Sequence, residues 1–412
     1  MDSLPIPSPD APEHSALVRA ALRAQARARP ELLGGLAAGA EGLREALDWS
    51  AQGVGADETA CVWLGDLRWA RALGLSPEEA TPVPPEAWWE PEVARLAPAD
   101  FAERHPLLAR ALCAGDMPYP ARTPFTELAD DTFLPRLAVL PLHPREGLEQ
   151  LGQLAVNLTA LTHGHPEALA AGLVIVLHRR ALIGLGAEEA EALGDAGDGA
   201  DPQHRAPAQL RERARRRVLE LLSPRDPGGS APSAGLLASY GATGATRSGL
   251  ARILAAAPLS AAVLADPDAA PTAQDRGGDE VPGCVRALAR ELTGPAPQRP
   301  GCDPGDGGTE ADAEARSEAE FAAPSEAAQS PTAWAELAST DQSAEQLADR
   351  LTERWVESVR RWWEVWGTPG RRPAALPLRP PLRSSGRPAR RPGAGSPRRS
   401  RGSSHTPRPA GA

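Results

Sequence analysis

Two histidines flank a glycine in Thr162-His163-Gly164-His165-Pro166, and by type and spacing they are the side chains of this chain best suited to chemistry. Imidazoles ligate metals, but a site needs further ligands, and no other His or Cys lies close by in the sequence. The local reading is a helix junction: Thr162 or His163 caps, Gly164 supplies a permissive φ, and Pro166 starts the next helix. Asp116, in Gly115-Asp116-Met117, reads as a turn residue before a ligand. Asp57 and Glu58 fall in the first turn of a helix, where carboxylates complement the dipole. Cys61, Cys113, Cys284 and Cys302 are scattered without CxxC spacing, and read as small buried thiols.

The elements that must position these residues read as helices. Leu43, Ala46, Leu47 and Ser50 fall at i, i+3, i+4 and i+7, and Ala60, Trp63, Leu64 and Leu67 repeat the spacing. Leu148–Leu161, Leu169–Ile183, Leu210–Leu222 and Gly249–Leu264 are further helical stretches. Trp49, Trp63 and Trp69 are expected in the core. No stretch alternates apolar and polar residues between turns, so the fold class is all-α. Asp341–Trp366 predicts a long amphipathic helix whose Leu347, Leu351, Trp355, Val359 and Trp362 pack on the body, with a membrane-surface or partner-binding helix as the alternative.

Composition sets the boundaries. All 44 basic residues are Arg and Asn157 is the only Asn, a pattern of GC-rich coding that also inflates Ala. Eleven Arg and no acid lie between Arg371 and Ala412, which leaves 33 Arg against all 54 acidic residues in the preceding chain. The expected organisation is a leading helix or poorly ordered segment at 1–30, a helical domain at 31–294, a linker at 295–331, a Trp-containing helix at 332–367 and a disordered Arg/Pro-rich tail at 368–412. The tail has no aromatic residue, so it offers nucleic acid only weak, non-specific phosphate contact. Apolar runs such as Gly172–Leu177 are short of a membrane span, and the first residues lack the basic and apolar regions of a signal peptide. A cytoplasmic protein without membrane partners is expected.

Three stretches carry a family resemblance. They are Gly42-Leu-Arg-Glu-Ala-Leu-Asp-Trp49 continuing to Leu67-Arg68-Trp69, Gly115-Asp116-Met117 with Leu134-Pro-Arg136 and Leu140-Pro-Leu142, and Leu161-Thr162-His163-Gly164-His165-Pro166. In this order they resemble the ADP-ribosylglycohydrolase family. The resemblance runs from about Glu31 to Arg354 and implies a single all-α domain. It also implies hydrolysis of the glycosidic bond between ADP-ribose and a protein or small-molecule acceptor. Two Mg²⁺ ions held by clustered carboxylates would orient the ribose and activate a water, since Mg²⁺ prefers hard oxygen ligands. Asp116 and Thr162, His163, Gly164 and His165 would line the ADP-ribose cleft.

The chain departs from the family at the metal motifs. Near the N-terminal one only Glu31 offers a carboxylate. At the C-terminal one, Arg276-Gly277-Gly278-Asp279-Glu280-Val281-Pro282-Gly283 keeps Asp279, while Val281 and Pro282 replace a carboxylate and a hydroxyl. Glu280 substitutes if the loop shifts by one residue. Asp130-Asp131-Thr132 has the composition of a metal motif in a different place. Two functions follow: a hydrolase with Glu31 and Asp279 catalytic and Glu31, Asp279 and Glu280 on Mg²⁺, or an impaired homologue that binds ADP-ribose or a protein partner without turnover. From composition, removing the residues after Gly370 should leave the melting temperature within a few degrees of the full chain, measured by thermal denaturation.

Overall fold

A Pro-rich chain that is all helix has to put its prolines where they do no harm. Pro12, Pro91, Pro106 and Pro258 each sit in the first two positions of a helix, where the missing N–H has no intrahelical partner to lose. The computed structural model describes residues 8–78, 81–123, 125–144, 147–195, 207–222, 249–267, 281–294 and 331–366. Asp279, Glu280, residues 295–330 of the expected linker and the tail after Trp366 lie outside them.

In chain order the helices are α1 (Pro12–Ala28), α2 (Leu33–Ala51), α3 (Glu58–Ala72), α4 (Glu90–Leu96), α5 (Phe101–Arg104), α6 (Pro106–Leu112), α7 (Leu148–Ala160), α8 (Pro166–Asp195), α9 (Pro207–Leu222), α10 (Gly249–Ala255), α11 (Pro258–Ala265), α12 (Gly283–Thr293) and α13 (Pro331–Trp366). Short 3₁₀ turns cover Pro30–Leu32, Leu134–Leu137 and Leu140–Leu142. There is no strand among the described residues, only an isolated bridge between Tyr119 and Arg122. The fold is all-α.

Two helices organise the rest. α2 begins Leu-Gly-Gly-Leu-Ala-Ala-Gly-Ala-Glu-Gly-Leu, and all of Leu33–Leu43 is buried. Its small residues let neighbours approach to backbone distance. A Cβ on Gly39 would lie 2.1 Å from the Arg136 carbonyl oxygen, and one on Gly42 would lie 2.6 Å from the Val62 Cα. α3 and the 134–137 turn therefore press directly onto α2, and α13 packs along it. α8 is the second centre, covered by α7, α9 and α12. Its stretch Pro166–Gly186 is long and apolar enough to cross a membrane, but 83% of that window is buried inside the protein, as a core helix should be.

Several expectations change. The stripe proposed on α3 is rotated: Val62, Gly65, Asp66 and Trp69 form its buried face, while Trp63 and Leu64 are half-buried. Trp49 is 48% exposed, because it lies off the Leu43–Ala46–Leu47 face of α2. The single stretch 249–264 is two helices, broken where Pro258 removes a backbone donor. The α13 face is as expected, with Leu347, Leu351, Trp355 and Val359 buried and Trp362 packed at the core's edge. Arg23 and Arg27 of α1 pair with Asp349 and Glu345 at 2.5 and 2.6 Å, and Arg354 reaches Glu41 of α2 at 2.8 Å.

Close packing reverses the usual helix rule. Gly→Ala in a helix interior ordinarily gains roughly 1 kcal/mol, and Gly186→Ala, whose Cβ would meet nothing within 4 Å, should gain a few tenths to about 1 kcal/mol in urea unfolding. Gly39→Ala should instead lose about 2 kcal/mol, since helix and turn must separate to admit the methyl group.

Candidate functional site

The segment after α7 turns inward. Thr162 and His163 are 1% and 0% exposed, so they do not line an open cleft as the sequence suggested. They belong to a buried polar chain that starts at Arg136, itself 2% exposed. Arg136 Nη2 donates to Asp66 Oδ1 at 2.9 Å, and its Nη1 donates to Thr162 Oγ1 at 2.9 Å. Thr162 Oγ1 lies 2.8 Å from His163 Nδ1, and His163 Nε2 lies 2.9 Å from Asp130 Oδ1. One set of protons satisfies every link: the Thr162 hydroxyl accepts from Arg136 and donates to Nδ1, and His163 is protonated at Nε2 and donates to Asp130. Thr132 closes the end, giving its backbone N–H and its hydroxyl to Asp130 at 2.9 and 2.6 Å.

Burial sets the charges along this chain. It pushes the Asp66 carboxyl up, against the pull of Arg136. It also holds His163 below the ordinary histidine value, outweighing the attraction of Asp130, so His163 is neutral at pH 7. Burial disfavours the Asp130 carboxylate too, but the hydrogen bonds from His163 and Thr132 win and hold its carboxyl well below the usual range.

Gly164 is needed for space rather than for a left-handed φ. Its N–H donates to the Phe125 carbonyl at 2.8 Å, and a Cβ there would lie 2.4 Å from Thr123 Oγ1. The cap of α8 comes from His165, whose Nδ1 accepts from the Glu167 N–H at 3.2 Å. Asp57 caps α3 through Thr59 N and Ala60 N. Of the expected buried thiols Cys284 is buried and Cys61 and Cys113 are half-buried; desolvation raises Cys61 to about 11 and Cys284 to about 12, so these two stay protonated at pH 7.

Beside Asp130 lies a second cluster. Arg29 follows α1, and its guanidinium bridges Glu31 Oε1 and Asp131 Oδ1, both at 2.7 Å. Arg290 of α12 approaches the other Asp131 oxygen at 3.5 Å. Burial disfavours the Arg29 charge, but these carboxylates outweigh it and hold the guanidinium firmly cationic. His105 stands in the same field, lowered by burial and by Arg29, against the pull of Glu31 and Asp130. Asp130-Asp131-Thr132 was read as a metal-motif composition in a different place, and one arginine joins its Asp131 to Glu31.

These residues do not fit Mg²⁺. Glu31 and Asp131 are engaged by Arg29, Asp130 accepts from His163 and Thr132 through Oδ1, and among the described residues no three His, Cys, Asp or Glu side chains group as a metal site. Glu31, expected as a metal ligand and catalytic carboxylate, is paired with Arg29 in this structure. Asp279 and Glu280 lie outside the described residues.

Asp116 occupies a different wall. With Glu78, Met117, Tyr119, Arg122 and Thr123 it lines an open cleft of about 580 Å³. Its side chain is 92% exposed and lies 3.6 Å from Arg122. Thr123 borders both this cleft and Gly164. No family model, curated protein or solved structure matches the chain.

His163 gives the buried chain a signature. Its folded pKa lies below the ordinary 6.5, so the unfolded protein binds a proton that the folded protein refuses. The stability it contributes is intact above about pH 6.5 and is lost as pH falls below it. Urea unfolding from pH 7.5 down to about pH 5.5 should show a declining midpoint, and His163→Gln should make that decline shallower.

Proposed function

We propose that this protein is an ADP-ribosylglycohydrolase-like binding protein that takes ADP-ribose, free or on a modified protein, without hydrolysing it. The observation that carries the reading is the Arg29 guanidinium between Glu31 and Asp131. A fixed cation stands where the resemblance calls for a divalent ion. It neutralises the carboxylates, but unlike Mg²⁺ it has no open coordination position to activate a water.

The binding half of the proposal rests on the neighbouring cleft. Its volume is in the range of small-molecule sites. Tyr119, 49% exposed, offers a ring on which a base can stack, and Arg122 offers a forked donor for a pyrophosphate. The hydrolytic alternative implied by the resemblance needs Mg²⁺ on Asp279, Glu280 and Glu31. Glu31 would first have to be released from Arg29.

Isothermal titration and a turnover assay test the proposal together. ADP-ribose should bind, Mg²⁺ should show no site tighter than millimolar, and modified substrates should release no ADP-ribose with or without Mg²⁺. Arg122→Ala should weaken ADP-ribose binding roughly tenfold, the value of one charge-assisted contact. Magnesium-dependent release by the unaltered protein, or no heat with ADP-ribose, would overturn the reading.

A further inference from the structure

One wall of the cleft beside Tyr119 and Arg122 carries a carboxylate without a task. Glu78 lies there, in the segment between α3 and α4, against Gly115. Its main chain is fixed: the Glu78 N–H donates to the Cys113 carbonyl at 3.1 Å, and the Glu78 carbonyl accepts from the Thr81 N–H at 2.9 Å. Gly115 makes room for the side chain, since a Cβ there would lie 2.7 Å from Glu78 Oε2 and 3.2 Å from the Glu78 Cβ. The carboxylate is exposed to the cleft, and no group among the described residues donates to it.

A free carboxylate repels a diphosphate, so it weakens the site unless the ligand brings hydroxyl or amino donors to it. The other acid of the cleft, Asp116, already faces Arg122 at 3.6 Å. We propose that Glu78 reads the vicinal 2′,3′-hydroxyl pair of a ribose, so that the cleft selects ribonucleotides over deoxyribonucleotides. This rests on the cleft being the ADP-ribose site. Two adjacent hydroxyls match two carboxylate oxygens, one O–H to each, and hydrogen bonds to a charged acceptor are the strong ones. In the ligand this pair lies between the base, for which Tyr119 offers a ring, and the diphosphate, for which Arg122 offers a fork.

The adenine amino group is the competing donor. It stands beside ring nitrogens that are acceptors, so a carboxylate that takes its N–H meets a lone pair with its second oxygen. The diol has no such neighbour.

Isothermal titration of the full chain with ADP-ribose, ADP, 2′-deoxy-ADP, inosine diphosphate and inorganic pyrophosphate tests the proposal. ADP should bind about tenfold more tightly than 2′-deoxy-ADP, the value of one charge-assisted hydrogen bond. Inosine diphosphate should bind within about twofold of ADP, and pyrophosphate should bind more weakly than either nucleotide. Glu78→Ala should bind ADP and 2′-deoxy-ADP alike, and 2′-deoxy-ADP no worse than the unaltered protein does. Gly115→Ala, whose methyl group would turn the carboxylate aside, should erase the same preference, with both variants melting within a few degrees of the parent. Equal affinity for ADP and 2′-deoxy-ADP while ADP-ribose binds would overturn the assignment of Glu78 and leave the ADP-ribose site standing. A preference for ADP over inosine diphosphate that vanishes in Glu78→Ala, or a ribose preference that survives Glu78→Ala, would also overturn it. No binding of ADP-ribose at all would overturn both.

Discussion

Arg136 is the side chain on which the rest of the structure depends. It sits on the 3₁₀ turn wedged against α2, its guanidinium reaches Asp66 on α3 and the end of α7 at Leu158 O and Thr162, and its own carbonyl is what Gly39 must accommodate. Burying a guanidinium and a carboxylate costs several kcal/mol each, and their attraction offsets this only when the remaining donors are also satisfied. Here Asp66 Oδ1, Leu158 O and Thr162 Oγ1 accept from the guanidinium, while Asp66 Oδ2 is buried without a hydrogen-bond partner. The result ties α2, α3 and α7 together: a shift of α3 by one residue would strand a buried charge, and a shift of α2 would press a side chain into the Arg136 carbonyl.

The same residue type governs the outer cluster. With no lysine in the chain, every side-chain cation that could sit among Glu31, Asp130 and Asp131, other than a protonated histidine, is a guanidinium, and Arg29 has the planar fork to hold two carboxylates at once. A cation built into the polypeptide cannot leave, and it cannot expand its coordination. It neutralises two carboxylates without offering an open coordination position. His163 is protected in parallel: its imidazole is fixed as the Nε2–H tautomer between Thr162 and Asp130, so it positions that carboxylate rather than exchanging protons with solvent.

Local patterns were legible in the sequence and long-range pairs were not. The 3.6-residue period announced α2, α7, α8, α9 and the apolar face of α13, and prolines marked helix starts. The rotation of α3 was hidden because its buried face contains Gly65 and Asp66, which a search for apolar stripes passes over. Arg29–Asp131 and Arg136–Asp66 are 102 and 70 residues apart, and nothing local separates those four from the chain's other Arg and Asp residues. The Thr-His-Gly-His segment stands out in the sequence, and its polarity suggested a cleft wall. Its partners turned it inward. Gly164 was assigned to backbone freedom, whereas the requirement is close approach to Phe125 and Thr123.

Helix α2 also fixes the distance between two parts of the molecule. Leu33, at its start, directly follows the turn that carries Glu31 beside Arg29, and Trp49 lies half exposed near its far end. Sixteen residues at about 1.5 Å each set these two positions roughly 24 Å apart. One helix, pressed between α3, α13 and the 134–137 turn, holds both ends in a single arrangement.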